Sequence, residues 1–312
     1  MNSKKQVGNY ILEKKIGEGQ FGEIFKSTKI KSKKIVAIKV IKKSLYQSNN
    51  QLLTQLNREI KIMKKLSHPN LMTLHEFFQS SKNYYIVMDL CPEGDLTNYM
   101  SQNKISFFKE SEAILLLTHI KNGLGQLFRL NILHRDLKLV NIFVKKNHLV
   151  IGDFGTSKIF NGMTTTTVGT PINMAPEILK GMPYNHKSDM WAVGIIFYNF
   201  LFGKVPFFGF SIADLLNQIL NFSGQNLKFP KNNLICNSVK SLLKKLLEPN
   251  QKKRISYNEF KQHYVFSNDH SSACFYFKSC KNSPIFKKFK LKNIQGKIIF
   301  LINQKKIKVL DQ

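Results

Sequence analysis

The stretch Ile132-Leu-His-Arg-Asp-Leu-Lys-Leu-Val-Asn141 decides the fold class, together with Asp153-Phe-Gly155, which begins twelve residues after it. The first stretch places a carboxylate (Asp136), an ammonium group (Lys138) and a carboxamide (Asn141) on one short loop. The second begins with another carboxylate, just beyond a strand-like apolar run. Oxygen ligands suit Mg²⁺ and a lysine pairs with phosphate, so this set of groups can hold metal-bound phosphate beside a hydroxyl group.

The two stretches resemble the H-R-D-x-x-x-x-N and D-F-G motifs of the eukaryotic protein kinases. Each of these residue types alone is common in polar loops, where Asp and Asn stabilise turns and helix ends. The two motifs at this spacing are far more specific for the kinase family than any one of these residues. Lys138, two residues after Asp136, and Thr170 are typical of the serine/threonine type. The residues around Gly152-Asp-Phe-Gly155 and Gly169-Thr-Pro171 are similar to the autophagy-initiating and calmodulin-dependent kinase groups.

The resemblance implies a role for each polar residue of the two motifs. Asp136 orients the substrate hydroxyl group and accepts its proton, and Lys138 neutralises charge on the transferred phosphoryl group. Asn141 and Asp153 are then the ligands of Mg²⁺, and the substrates are ATP and proteins that carry Ser or Thr.

The glycines near the N-terminus lie in Ile16-Gly-Glu-Gly-Gln-Phe-Gly-Glu-Ile24. A lone G-x-G-x-x-G pattern is weak evidence, and in a dinucleotide-binding fold it would open a helix. Here a strand-like run, Ile24-Phe-Lys-Ser-Thr28, follows instead, so the pattern predicts the tip of a β-hairpin. Glycines at such a tip let backbone amides approach phosphate. Val36-Ala-Ile-Lys39 follows at the spacing found in kinases, which favours this interpretation.

Lys39 lies in the middle of an apolar strand, where a lysine is costly unless it is paired. The spacing of apolar residues between Gln51 and Leu66 predicts a helix, and this helix carries Glu59. The resemblance implies that Glu59 pairs with Lys39, which then contacts the α- and β-phosphates.

The run Asp89-Leu-Cys-Pro-Glu-Gly-Asp-Leu96 resembles the hinge between the lobes of a kinase, where adenine binds. By the resemblance, Met88 is the gatekeeper, backbone groups of Asp89 and Cys91 face adenine, and Asp95 contacts the ribose. Each apolar residue nearby would by itself be ordinary core. The whole ATP-binding set that the resemblance implies is Ile16, Gly17, Glu18, Gly19, Gln20, Phe21, Gly22, Ile24, Ala37, Lys39, Met88, Asp89, Cys91, Asp95 and Phe143.

The segment that ends at Ala175-Pro-Glu177 resembles the kinase activation segment. Counting back from Glu177, Thr166 falls at the position of the activating phosphothreonine, and Arg135 is placed to bind its phosphate. A polar threonine run is the alternative interpretation. Asn173 stands where the family usually has Tyr, so the pocket for the residue after the target differs.

Two further segments carry the resemblance through the large lobe. Ser188-Asp-Met-Trp-Ala-Val-Gly194 begins an apolar helix, and the resemblance implies that Asp189 at its start binds the backbone around His134. Arg254 pairs, by the resemblance, with Glu177 of Ala-Pro-Glu. The usual Pro three residues before that arginine is Gln251 here.

Composition predicts a globular protein. The chain has 312 residues, a hydrophobic fraction of 43% and no apolar run of membrane-spanning length, so we expect a cytoplasmic protein, with the nucleus not excluded. Its four cysteines lack zinc spacing and are expected to be free thiols.

The net charge of +29 raises nucleic acid and anionic membranes as partners. The lysines are spread along the whole chain among Asn, Ile and Phe, so a general compositional bias explains much of this charge. No nucleic-acid-binding signature is present, and we expect no nucleic-acid partner.

The predicted fold is α+β and two-lobed: a small β-rich N-lobe with one long helix (10–90) and a larger helical C-lobe (91–266). Residues 1–9 are predicted as an N-terminal extension. Residues 267–312 are predicted as a basic extension with ten lysines and two acids, giving +8. We expect one of three roles for this extension: a poorly ordered tail, a weak contact with an anionic membrane or a partner, or a fragment of a second domain.

The predicted function is transfer of the γ-phosphoryl group of Mg-ATP to protein Ser or Thr, activated by phosphorylation of the activation segment. The alternatives are a pseudokinase scaffold that binds partners without catalysis and an anionic-surface-binding protein. Pseudokinases typically lose the strand lysine, the loop aspartate or the metal aspartate, whereas Lys39, Asp136 and Asp153 are all present.

Overall fold

A computed structural model of the chain describes residues 5–19, 22–47, 50–146, 148–160, 162–222, 227, 229–230 and 235–266. The chain divides into two compact units, Met1–Ser267 and Asn268–Gln312. The second unit, with the predicted basic extension and its membrane contact, lies outside the described residues. So do Gln20 and Phe21 of the predicted ATP-binding set.

The first part of the chain forms a six-stranded antiparallel sheet in the order β1-β2-β3-β4-β6-β5. Its strands are β1 (Lys5–Val7), β2 (Tyr10–Gly19), β3 (Gly22–Lys29), β4 (Ile35–Lys42), β5 (Leu74–Gln79) and β6 (Asn83–Met88). The sequence analysis did not predict β1, which lies within residues 1–9, the predicted N-terminal extension, and pairs with β2. Two of its three residues are exposed, so it carries no hydrophobic alternation to reveal it.

The register of this sheet brings predicted site residues onto one face. Gly17 lies opposite Ile24, and Ile24 lies opposite Lys39 on the next strand. Ala37 lies opposite Met88. Because side chains alternate with a period of two along a strand, Ala37 and Lys39 point to the same side. The sheet therefore presents a glycine strand, an apolar patch and an ammonium group together.

Two helices follow β4: α1 (Ser44–Gln47) and the long α2 (Asn50–Met63). Leu56, Ile60 and Met63 of α2 are buried, at the spacing of one helix face. Glu59 precedes Ile60 and is also buried. Packing of the apolar face of α2 therefore places the Glu59 carboxylate in the interior.

The rest of the described chain is mainly helical. Its helices are α3 (Leu96–Gln102), α4 (Glu110–Arg129), α5 (Pro176–Leu179), α6 (Lys187–Phe202), α7 (Ile212–Leu220), α8 (Asn237–Leu246) and α9 (Tyr257–Lys261). Short strands form two pairs, β7 (Ile132–Leu133) with β10 (Lys158–Ile159) and β8 (Ile142–Lys145) with β9 (His148–Ile151). These hairpin-like pairs hold the catalytic stretch between α4 and the activation segment.

Helix α6 is the core of the helical part, because it is apolar and buried around most of its circumference. It ends at Gly203, whose φ of 66° is the left-handed conformation that stops a helix. The predicted α+β class, with a β-rich part and a larger helical part, is confirmed. In the part of the chain that the structure describes, no helix is long and apolar enough to cross a membrane.

Candidate active site

The predicted catalytic loop is fastened to α6 through one carboxylate. The backbone N–H groups of His134 and Arg135 donate to the two oxygens of Asp189, at 2.9 and 3.0 Å. The hydroxyl groups of Thr156 and Ser157 donate to the carbonyl oxygen of His134. These bonds pair both N–H groups and the His134 carbonyl oxygen, which fixes the loop on the buried helix α6.

Two residues of the site have left-handed backbone conformations that are unusual for residues other than glycine. They are Arg135, with φ of 70°, and Asp153, with φ of 56°. Asp tolerates this conformation because its short polar side chain bonds locally. Arg135 is held in it by Asp189 and by its own Nε, which donates to the carbonyl oxygen of Thr156 at 2.6 Å. Such strain persists only where surrounding contacts determine the backbone, and it concentrates at functional sites.

The carboxylate of Asp136 is surrounded by donors. Oδ1 accepts from the backbone N–H and the hydroxyl group of Thr170, both at 3.0 Å. Oδ2 accepts from Lys138 Nζ at 2.8 Å and from Asn141 Nδ2 at 3.1 Å. Lys138 Nζ also donates to the Thr170 hydroxyl group at 2.7 Å. The structure thus brings Asp136, Lys138 and Asn141 together, and adds Thr170, which had been identified only as a marker of kinase type.

Lys39 and Glu59 face each other across the space between β4 and α2, with 3.9 Å between Nζ and Oε1. Burial raises the pKa of the Glu59 carboxyl group above its ordinary value; the nearby Lys39 ammonium opposes this shift, whereas the Asp153 carboxylate adds to it. Three charged groups from the sheet, the helix and the catalytic region therefore meet in one place. A set of this kind is suited to a phosphate chain that needs both cations and metal ligands.

The residues predicted to bind metal fit Mg²⁺ by their chemistry. The Asn141 amide nitrogen donates to Asp136, so its carbonyl oxygen is the atom left for a metal. Asp153 is exposed, and its Oδ1 accepts only a long contact of 3.4 Å from the Gly155 N–H. Among the described residues, no group of three or more His, Cys, Asp and Glu side chains could hold a metal ion by itself. Two oxygen ligands match Mg²⁺, which is usually bound through one or two protein groups plus phosphates.

The predicted hinge residues have strong local partners. Asp89 accepts from His75 Nε2 at 2.9 Å and from Lys145 Nζ at 2.6 Å. Burial alone would raise the pKa of Asp89, but hydrogen bonds from these two residues hold it well below its ordinary value. Burial raises the pKa of the Cys91 thiol to about 12, so this thiol stays protonated. The side chain of Asp89 thus connects the end of β6 to β5 and β8. Its backbone N–H donates to the Thr73 carbonyl oxygen at 3.2 Å, so its own carbonyl oxygen is the group left to contact a ligand.

Asp95 serves as the N-cap of α3. Its Oδ1 accepts from the Asn98 backbone N–H at 3.0 Å, and its Oδ2 accepts from the Asn98 side chain. Its backbone forms an isolated bridge with Phe143. The structure therefore gives Asp95 a helix-capping role that the sequence analysis did not assign, and the ribose contact stays a prediction.

The three hairpin glycines differ in their surroundings. A side chain on Gly22 would come within 2.2 Å of the Val40 carbonyl oxygen, so this position requires glycine for packing alone. Among the described residues, which leave out the hairpin tip at 20 and 21, a side chain on Gly17 would meet Ile24 at 3.8 Å and one on Gly19 a carbonyl oxygen at the same distance. The two latter positions have free space, which is what close approach of a phosphate requires.

Comparison with known proteins decides the family. The family described as Protein kinase domain matches residues 10–266. The chain belongs to this protein kinase family. The resemblance predicted from the two motifs is confirmed.

The kinase domain is similar to several named kinases. It is 36% identical over 269 residues to Serine/threonine-protein kinase atg1 of Dictyostelium discoideum, covering 83% of this chain and 39% of that protein. It is 33% identical over 275 residues to Serine/threonine-protein kinase Sgk1-A of Xenopus laevis, covering 85% and 62%. It is 35% identical over 256 residues to Myosin light chain kinase A of D. discoideum, covering 79% and 84%. The chain spans less than two thirds of the first two relatives.

The activation segment of the kinase domain closes directly against the catalytic loop. Gly169 has φ of 117°, and a side chain there would come within 2.6 Å of the Arg135 carbonyl oxygen. Further back, the backbone of Thr164 pairs with Tyr184, whose hydroxyl group donates to the Thr166 carbonyl oxygen at 2.7 Å. Thr164 is buried, whereas Thr166 is exposed.

Glu177 and Arg254 form a buried pair, as the resemblance implied. The guanidinium nitrogens of Arg254 lie 2.6 and 2.8 Å from the two carboxylate oxygens, and Arg254 is fully buried. Gln251, at the position where the family usually has Pro, donates to the same carboxylate at 3.4 Å. The side chain of Asn250 accepts from the Lys252 N–H, so side-chain bonds shape this loop without a proline.

A cleft of about 350 Å³ opens beside the catalytic loop of the kinase domain. Its walls include Lys138 and Thr170 from the catalytic centre, and Asn173 from the activation segment. Val140 and Asn199 lie on the same cleft. No described residue lining it is acidic.

Proposed function

We propose that this domain transfers the γ-phosphoryl group of ATP to Ser or Thr hydroxyl groups of proteins. The observation that carries the proposal is the group around Asp136, in which a carboxylate, an ammonium group and a carboxamide meet within hydrogen-bonding distance. The test is transfer of labelled γ-phosphate from ATP to a protein or peptide library by the purified chain, followed by identification of the modified residue.

In the proposed reaction the substrate hydroxyl oxygen forms a bond to the γ-phosphorus while the bond to the bridging oxygen breaks, which leaves ADP. Asp136 orients the hydroxyl group and receives its proton. Lys138, next to both Asp136 and Thr170, stabilises negative charge on the moving phosphoryl group. Most of the rate enhancement in such a site comes from positioning and from fixed charges rather than from covalent chemistry.

Asn141 and Asp153 would hold Mg²⁺, which when bound neutralises phosphate charge. Lys39, supported by Glu59, would contact the α- and β-phosphates. The apolar face that includes Ala37 and Met88 would take adenine, and the backbone of Asp89 and Cys91 would contact its edge. These assignments rest on the family, on the strand register that puts Ala37 opposite Met88, and on the 3.9 Å distance between Lys39 and Glu59.

The pseudokinase alternative is disfavoured by the surroundings of the three residues that pseudokinases typically lose. Lys39 lies within ion-pair distance of Glu59. Asp136 accepts from four donors, and Asp153 is exposed to solvent. We propose an active enzyme for this reason.

We propose that phosphorylation of Thr166 activates the domain. Thr166 is exposed. Within the described residues, the Arg135 side chain donates through Nε, to the Thr156 carbonyl oxygen, and its two terminal guanidinium nitrogens are left for a phosphate. A phosphothreonine carries about two negative charges at neutral pH and forms strong charge-assisted bonds with arginine. Thr166→Ala is expected to lower activity at least about tenfold, since one or two such bonds would be lost.

The measurement combines phosphate-site mass spectrometry with kinase assays before and after phosphatase treatment. Thr165→Ala is the matched control, because Thr165 is also exposed and adjacent. Full activity with no phosphate anywhere on 164–167 would exclude this switch.

We also propose that the domain does not select arginine two residues before its target. The cleft beside Lys138 carries Val140 and Asn199 instead of acids. By the family resemblance, kinases that select arginine carry acids at these two positions, and Glu93 and Glu110 are the candidates to substitute for them. Of the two, Glu110 accepts from the Cys236 backbone N–H at 2.7 Å and is engaged there. We expect peptides with a neutral or apolar residue at the −2 position to be phosphorylated as well as peptides with Arg.

A positional peptide library measures this preference. Asn199→Glu should create a preference for Arg of about tenfold, because a new charge about 4 Å from the guanidinium contributes roughly 1–4 kcal/mol. Asn199→Gln is the neutral control. Tenfold or greater selection for Arg at −2 by the unmodified protein would show that another acid serves the cleft.

A further inference from the structure

A second and larger groove lies on the helical part of the domain. Its volume is about 950 Å³, and it runs between the end of α5, the end of α7 and the loop that follows α8. None of the residues proposed for ATP, metal or catalysis lines it. The groove therefore needs an explanation other than phosphoryl transfer.

The rim of this groove is strongly basic. Five lysines line it: Lys180, Lys244, Lys245, Lys252 and Lys253. Within the described part of the chain, none of the five makes an ion pair with a carboxylate. The groove has two acids, but Glu177 is committed to Arg254, and Glu248 accepts from the Asn250 backbone N–H. The electrostatic potential at the groove is therefore positive, because no carboxylate of the groove is paired with these lysines.

The same groove exposes apolar side chains. Met182 is 51% exposed and Leu220 is 46% exposed, and both line the groove with Phe222 and Pro183. Exposed apolar residues in a concave site with a charged rim are typical of a protein-binding surface. A ligand that complements both the lysines and the exposed apolar side chains of the groove must have negative charge and a bulky apolar side chain.

We propose that this groove binds an acidic segment of another protein, anchored by a large apolar side chain. Charge complementarity selects this occupant. The basic stretch 267–312 of this chain carries +8, and a second copy of the chain carries +29, so lysines on the groove repel both. A nucleic acid would use the lysines, but the apolar side chains of Met182 and Leu220 would contribute little to it.

Binding of synthetic peptides to the full chain tests the proposal. The probe is a short fluorescein-labelled peptide in which Glu and Asp flank a central Phe-Leu pair, measured by fluorescence anisotropy without ATP. One matched peptide replaces each acid by its amide, and the other replaces Phe-Leu by Ser-Ser. We expect each replacement to weaken binding at least about tenfold, because charge and apolar anchor both contribute. The measurement does not depend on kinase activity, so its failure would leave the proposed reaction untouched.

Variants of the protein locate the site. Lys252→Glu/Lys253→Glu should weaken binding of the acidic probe at least about tenfold, and Leu220→Ser should weaken it by a similar factor. The matched control is Lys31→Glu/Lys34→Glu, which makes the same charge change in the exposed turn between β3 and β4. All four lysines and Leu220 are exposed, so the fold should survive, as thermal melting would verify.

Two outcomes would overturn the proposal. In the first, the control variant Lys31→Glu/Lys34→Glu weakens binding as much as Lys252→Glu/Lys253→Glu does, which would mean that binding depends only on the overall charge of the protein. If an oligonucleotide competes for the groove and Leu220→Ser leaves the affinity for every probe unchanged, the surface is a nucleic-acid site and not a peptide site.

Discussion

Asp136→Asn and Asp153→Asn will each lower the rate of phosphate transfer at least about a hundredfold, the scale of losing an acid–base or charge-stabilising group. At position 136 the amide has no negative charge to accept the substrate proton. At position 153 it weakens metal binding, because Mg²⁺ prefers a carboxylate to a neutral amide. Both exchanges keep the size and shape of the side chain, so the loss of activity is a chemical effect.

The two variants should fold, for different reasons. Asp153 is exposed, and within the described residues its side chain makes one long hydrogen bond, to Gly155; Asn tolerates its φ of 56° as well as Asp does. Asn at position 136 still has one acceptor oxygen for the two donors on Thr170. Asp214→Asn on α7 is the matched control for an Asp-to-Asn exchange away from the catalytic loop. Steady-state kinetics at saturating ATP, with thermal melting of each variant, separates catalysis from folding. Turnover like that of the unmodified protein in both variants would refute the proposed mechanism.

Sequence reasoning reached the parts of the fold that depend on strong local patterns. The catalytic loop, the Asp153 motif and the Ala175-Pro-Glu177 segment are short motifs with fixed spacing, so they located the candidate site before any geometry was known. Helix α2 followed from apolar spacing. That prediction put Glu59 on a helix, and only the family resemblance indicated that Glu59 lies near Lys39.

Features that depend on long-range contacts were not accessible in this way. Nothing in the local sequence around Asp89 indicates that His75 and Lys145 bind it, because those partners come from other strands. The need for glycine at position 22 comes from the carbonyl oxygen of Val40 on a neighbouring strand. Strand β1 was missed because three mostly exposed residues carry no pattern. The large basic groove is made from three separated segments, and lysines spread along the sequence gave no sign that five of them gather there.

Arg254→Ala should produce the largest loss of stability of any single exchange considered for this domain. Arg254 is fully buried and holds both oxygens of Glu177, and it also donates to the carbonyl oxygens of Lys187, Glu248 and Pro249. Removing it leaves the buried Glu177 carboxylate with only the 3.4 Å bond from Gln251, and it takes away the bonds that Arg254 donates to three carbonyl groups. Breaking a buried ion pair from one side costs about 3–5 kcal/mol of unfolding free energy. Urea denaturation followed by circular dichroism measures this loss as a lower midpoint.

The exposed pair of Lys15 and Glu23 is the matched control, because its nitrogen–oxygen distance is also 2.6 Å. Solvent and salt screen that pair, so Lys15→Ala should leave the denaturation midpoint near that of the unmodified protein. Equal effects of the two exchanges would show that burial does not decide the strength of the Arg254 pair.

A double variant separates the ion pair from the loop that Arg254 supports. Glu177→Leu with Arg254→Met replaces both charges by apolar groups of similar size, which often restores much of the stability lost when one partner is removed. Here the recovery should be incomplete, because the carbonyl groups of Glu248 and Pro249 still lack a donor. Full recovery of the unfolding free energy would mean that Arg254 stabilises the domain only by neutralising the Glu177 carboxylate. Partial recovery, with the loss confined to the loop after α8, would mean that the arginine also holds that loop and therefore one wall of the basic groove.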